Sequence, residues 1–148
     1  MYVPSLDAIL SNLGMTKSEF EAAKTVEIPS SLLTFLLRIA LANSDFSETS
    51  YLAANPDVAA ASKKGTVQNP RLHYIGDGYF EGRQGGMPDL DEKWYLRSYP
   101  DVAEAVRRRT TQSAAQHFWN VGAAEFRAPA EAYLSDAVHW GKAFGKGE

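Results

Sequence analysis

A stretch of 39 residues occurs twice in the chain, Asp45 to Arg83 and Asp89 to Arg127, at a constant offset of 44 positions with no insertion or deletion. Fifteen of the 39 positions are identical, where unrelated segments of this composition would agree at about two or three. A fixed period of this length restricts the chain to a repeat architecture, in which one supersecondary unit is copied and buries its apolar face against its neighbour. The duplication also restricts what the shared residues can mean. A residue that every unit needs in order to fold recurs with the unit, and no chemistry is required to explain it.

The 148 residues correspond to one domain by length, with an apolar fraction of 45% and a charged fraction of 22% that belong to ordinary globular chains. With no cysteine, disulfides and thiolate chemistry are excluded. Net charge is −3, and no segment forms a basic block that would draw nucleic acid. Arg107-Arg108-Arg109 falls where a helix should end, and cations there complement the helix dipole. The most apolar run, Ser31 to Ala42, is well short of the roughly 20 residues a membrane span needs and contains Arg38. Met1 to Pro4 lacks the basic start and apolar stretch of a signal peptide, so a cytoplasmic location is expected.

Residues 1–44 do not share the repeat. Leu6, Ile9, Leu10 and Leu13 keep a helical period that Gly14 should stop, and Thr16-Lys17-Ser18-Glu19 has the spacing of a capping box. A third helix is expected from Ser31 to about Asn43. Its apolar residues run nearly round the helix, the pattern of a central buried helix or of a subunit contact. Gly14 to Lys17 has a superficial helix-turn-helix look, but 3 basic against 4 acidic residues in this segment oppose DNA binding.

Each repeat, 45–88 and 89–130, reads as three short helices. Asp45 with Glu48, and Asp89 with Glu92, have capping-box spacing for the first. Pro56 and Pro100 end that helix and open the second, with Asp57 and Asp101 in its positive first turn. Asn69-Pro70 and Ser113-Ala114 open the third helix, which carries His73-Tyr74 or His117-Phe118, and Gly78 and Gly122 fit a left-handed closure. A terminal helix from Pro129 to about Phe144 should cap the second repeat, the last segment being 131–148, with 145–148 frayed.

The shared pattern, Tyr-Leu-x-x-x-Pro-Asp-Val-Ala followed by His-(Tyr/Phe) and a closing Glu-x-Arg, resembles a short helical repeat of bacterial proteins. Tyr51 to Ala59, His73-Tyr74 and Glu81-Gly82-Arg83 carry the likeness in the first copy. Trp94-Tyr95-Leu96, Tyr99 to Ala103, His117-Phe118 and Glu125-Phe126-Arg127 carry it in the second. Such repeats are often found beside glycosyltransferase domains of surface-polysaccharide assembly, so the resemblance implies an accessory segment without catalytic activity of its own. Phe126 stands where that family usually has glycine and puts a strict backbone requirement there in question.

Of the titratable residues, His73 and His117 alone recur as a potential base or metal ligand, but no nucleophile with an orienting base, no His-x-x-x-His and no phosphate loop accompanies them. They are expected to bond a backbone carbonyl or a carboxylate within their repeat. Glu81/Arg83 and Glu125/Arg127 either present charge to a partner or pair internally, the arginine fork reaching Asp57 or Asp101; recurrence favours the internal pair. Trp94 aligns with Ser50 and Trp119 with Ile75, so these residues, like Trp140, are not demanded by repeat geometry. They either fill space against the terminal helix or present aromatic faces.

The expectation is therefore an all-α protein forming one compact domain, acting without enzymatic activity, cofactor or metal. It would dock a protein partner, a glycosyltransferase or another polysaccharide-assembly component, through Trp94, Trp119, Tyr79 and Phe80. The alternative is a carbohydrate-binding module using those aromatics with Glu81/Arg83 or Glu125/Arg127, and residues 31–43 offer a homodimer contact.

Overall fold

In a computed structural model describing residues 1–146, the chain is all-α, with no strand among the described residues. Instead of one compact domain it divides into two compact units, Met1–Ser44 and Asp45–Glu148. Of the four residues expected to fray, Gly147 and Glu148 lie outside the described residues.

The first unit contains α1 (Leu6–Asn12), α2 (Lys17–Ala22) and α3 (Ser30–Ala42). Ser5 caps α1 by accepting from the Ala8 amide, and Gly14, at φ 69°, ends it while the Met15 amide returns to the Leu10 carbonyl. Thr16 and Glu19 complete the capping box of α2. The central-helix expectation for α3 is not met. None of its 13 residues is buried, and within this unit only Leu10 is.

The second unit begins with α4 (Glu48–Ala54), α5 (Pro56–Lys63) and α6 (Pro70–His73), which runs on as a π-helical turn, Tyr74–Gly78. The second copy repeats this order as α7 (Glu92–Ser98), α8 (Pro100–Arg107) and α9 (Ala114–His117) with a π-helical turn, Phe118–Gly122. A 3₁₀ turn, Glu131–Tyr133, leads into α10 (Leu134–Ala143). Pro56 and Pro100 occupy the first turns of α5 and α8, where their missing amides cost nothing. Asn69 and Ser113 cap the third helices by accepting from the Leu72 and Gln116 amides.

Two features of the helix ends differ from the sequence expectation. The first helices are capped not by Asp45 and Asp89 but by Ser47 and Asp91, whose side chains accept from the Ser50 and Trp94 amides. This leaves both earlier aspartates available for longer-range bonds. Nor do Gly78 and Gly122 supply the left-handed closure, which falls four residues later at Gly82 (φ 72°) and Phe126 (φ 57°). There the Arg83 and Arg127 amides bond the Gly78 and Gly122 carbonyls at 2.9 Å, the six-to-one bond of a Schellman cap. The backbone requirement questioned at Phe126 is present, and a phenylalanine meets it. The same cap ends α5 and α8, with Gly65 (φ 75°) in one copy and Arg109 (φ 59°) in the other.

Gly78 and Gly122 are needed for another reason. A Cβ at either position would overlap the hydroxyl of Tyr51 or Tyr95, which lies against the bare backbone. Those tyrosines are fully buried and central to their repeats. Tyr51 packs with Phe46 and Tyr74, while Tyr95 joins Trp94, Val102, Ala114, Phe118 and Ala128 in one core cluster. Burying side chains of this size is worth roughly 1.5–3 kcal/mol each. Tyr133 and Ala137 of the terminal segment pack on the same cluster.

Candidate functional site

The residues that recur between copies form two internal bonding systems. The first links the first helix of each repeat to the third. Tyr51 Oη and His73 Nδ1 are hydrogen-bonded at 2.9 Å, and Tyr95 Oη and His117 Nδ1 at 3.1 Å. The histidine partner is thus a tyrosine hydroxyl, not the backbone carbonyl or carboxylate expected, and the close approach shared by Gly78 and Gly122 gives that hydroxyl room. Burial raises the phenol pKa of both tyrosines, that of Tyr95 to about 12, so neither ionises near neutral pH.

The second system is the arginine fork. Arg83 Nη1 donates to both Asp57 carboxylate oxygens at 3.0 and 2.8 Å, while its Nε donates to Glu81 at 2.6 Å. Arg127 donates from Nη1 and Nη2 to Asp101 at 2.9 and 2.7 Å, and from Nε to Glu125 at 2.7 Å. The hydrogen bond from the guanidinium is the first cause holding the Asp57 and Asp101 carboxyls below the usual range. The fork ties the start of the second helix to the cap after the third, as the internal reading of Glu-x-Arg expects. Glu81, Arg83, Glu125 and Arg127 are therefore engaged with one another and with the aspartates.

Behind the fork, the copies reach one result by different chemistry. Asn55, buried, donates to the carbonyls of Tyr51 and Gln84. Its counterpart Tyr99 accepts from the Ala128 amide at 2.8 Å and lies with its ring under the Arg127 guanidinium, 5.0 Å away. Because the two positions differ in sequence, repeat comparison passed over them; the signal was the place beside Pro56 and Pro100, not the residue type.

The aromatic candidates separate. Trp94 is only 7% exposed and packs edge-on against Tyr99, so it belongs to the core and is withdrawn as a docking anchor. Trp119 is half-buried beside Phe118. Tyr79 and Phe80 remain exposed, edge-to-face with each other, and Leu72 is also exposed in this copy. The corresponding residues of the second copy are Ala123, Ala124 and Gln116. The exposed aromatic pair Tyr79–Phe80 is thus particular to the first repeat, while the second exposes Val121 where the first has Asp77.

A shallow cavity of about 310 Å³ lies on α10, lined by Asp136, His139, Trp140 and Ala143. These residues follow helical spacing along one exposed stripe, and Trp140 is half-exposed with Phe144 tilted against it. Sequence reading passed over Asp136 and His139 because nothing in the repeat points to them.

Among the described residues, no group of three or more His, Cys, Asp or Glu side chains is placed to hold a metal ion. No helix among them is long and apolar enough to cross a membrane. No family model matches the chain, and comparison with curated proteins and with solved structures found no match.

Proposed function

We propose that the protein is a non-catalytic interaction module that docks a protein partner through the first repeat, in the cytoplasm and beside bacterial surface-polysaccharide biosynthesis. The carrying observation is the division of labour among its side chains. Residues shared by the copies are consumed by internal bonds, Tyr to His and Arg to Asp and Glu. Tyr79, Phe80 and Leu72 differ from their counterparts and face solvent. Aromatic residues in an exposed patch are the ones that bury most area on docking. The tie to polysaccharide assembly comes from the resemblance of the repeat alone. In this reading the two repeats stack and residues 131–148 cap the second, supported by Tyr133 and Ala137 on its core.

The test is affinity capture by the full chain, with protein and glycan identification on the same eluate. A glycosyltransferase or another assembly protein should be retained, and lost when Tyr79 and Phe80 are both alanine. Retention by that variant would remove the docking face.

A second reading, saccharide binding, is favoured by the α10 cavity, where exposed Trp140 is flanked by Asp136 and His139. An aromatic platform beside polar side chains suits a sugar ring. Glycan titration followed by tryptophan fluorescence would support it if the response vanished in Trp140→Ala. An unchanged response in that variant would move binding elsewhere.

A further inference from the structure

The tyrosine–histidine bond fixes the state of each imidazole. Tyr51 and Tyr95 have no exposed surface, and among the described residues each hydroxyl has one hydrogen-bond partner, Nδ1 of His73 or His117. A phenol carries one hydrogen, and a ring nitrogen either donates or accepts. A protonated Nδ1 would donate to the phenol oxygen and leave the hydroxyl hydrogen buried without an acceptor, at the cost of a whole hydrogen bond. With Nδ1 bare the hydroxyl donates to it, and Nε2 carries the ring hydrogen.

A proton taken up by either ring must go to that bare Nδ1, and it breaks the arrangement. The surrounding charges then distinguish the copies. Besides burial, the groups acting on the Tyr51 phenol are Arg83, Glu81, Asp57 and Asp77; those acting on Tyr95 are Arg127, Tyr99, Glu125 and Asp101. Each fork brings one guanidinium and two carboxylates, alike in the two copies. The difference is Asp77, whose counterpart is Val121. A carboxylate four residues beyond His73 offsets charge on its ring, whereas His117 has none at that place.

We infer that the Tyr95–His117 bond is a proton-sensitive tie between the first and third helices of the second repeat, closed while the imidazole is neutral and opened when Nδ1 takes up a proton. Tyr133 and Ala137 pack on the core cluster that contains Tyr95, so opening the tie also loosens the seat of the terminal segment. The tie is independent of the docking face on the first repeat.

Long-range proton–nitrogen NMR spectra of the full chain at neutral pH should show Nδ1 of His117 without a hydrogen; a hydrogen there would overturn the inference. Below a pH of about 6.5 the unfolded chain takes up imidazole protons that the folded site resists, so stability is complete above that pH and lost below it. The melting temperature should fall by about 4–8 °C over the two pH units centred on that value, a range in which Asp57 and Asp101 stay ionised. His117→Asn keeps an acceptor for the Tyr95 hydroxyl but takes no proton, and should remove most of that fall; His73→Asn should remove less. Val121→Asp, at an exposed position, supplies the carboxylate of the first copy and should also flatten the curve. His139, exposed on α10, titrates alike in every variant. A fall unchanged by both His117→Asn and Val121→Asp would overturn the tie, as would a level melting temperature in the native chain.

Discussion

Tyr133 donates its hydroxyl to the Asp45 carboxylate at 2.7 Å across 88 positions, two periods of the repeat. Asp89, one period from each, accepts from the hydroxyls of Ser47 (3.1 Å) and Ser50. The two aspartates released from capping thus join the start of one copy to the start of the other and to the terminal segment. Removing the Tyr133 hydroxyl should cost about 0.5–1.5 kcal/mol. In a double-mutant cycle, Tyr133→Phe and Asp45→Ala should be less than additive in chemical denaturation. Full additivity would show that the bond contributes nothing to stability.

Arg127→Ala removes a bidentate ion pair and a guanidinium packed on Tyr99, and should lower stability by about 1–2 kcal/mol. Arg83→Ala loses the pair without a ring beneath it, so its melting temperature should fall less. Equal losses would mean that the Tyr99 contact adds nothing.

Gly122→Ala places a methyl group against the Tyr95 hydroxyl and should cost about 1–3 kcal/mol through overpacking. Combining it with Tyr95→Phe, which removes the obstructing oxygen, should recover part of that loss. If the double variant is as unstable as the sum of the singles, the close approach is not what selects glycine.

Arg109 occupies a left-handed conformation that its counterpart Gly65 adopts freely. Arg109→Gly should therefore stabilise by about 0.5–1 kcal/mol after the added entropy of the unfolded chain is discounted. Phe126→Gly should not, although φ is also positive there, because the Phe126 ring stacks on Phe144 at 5.1 Å. A gain in both variants would deny the ring its anchoring role.

Acid should unfold the chain partly through Asp57 and Asp101. Their folded pKa values lie below the ordinary carboxylate value of about 3.9, so their contribution is present above that pH and fades as pH falls through the depressed folded values. The melting temperature should drop more steeply between pH 5 and pH 2 in the native chain than in an Asp57→Asn/Asp101→Asn variant. Parallel curves would assign acid sensitivity to other groups.

By itself the sequence determined the all-α class, the start of residue 45 as a boundary, and nearly every short helix in its place. Proline at first turns, Asn69 and Ser113 at caps, and Gly14 at a stop act within a few residues, so their consequences are local and legible. The Arg-to-Asp pair was legible for a related reason: two copies display the same complementary charges at the same spacing. The Tyr-to-His bond, the use of Gly78 and Gly122 as bare backbone, the release of Asp45 and Asp89 from capping, and the burial of Trp94 were decided by tertiary structure alone. Each depends on which side chain approaches from a distant part of the chain. Periodicity reports that a position matters, but the approaching partner determines whether it is a cap, a contact or a surface.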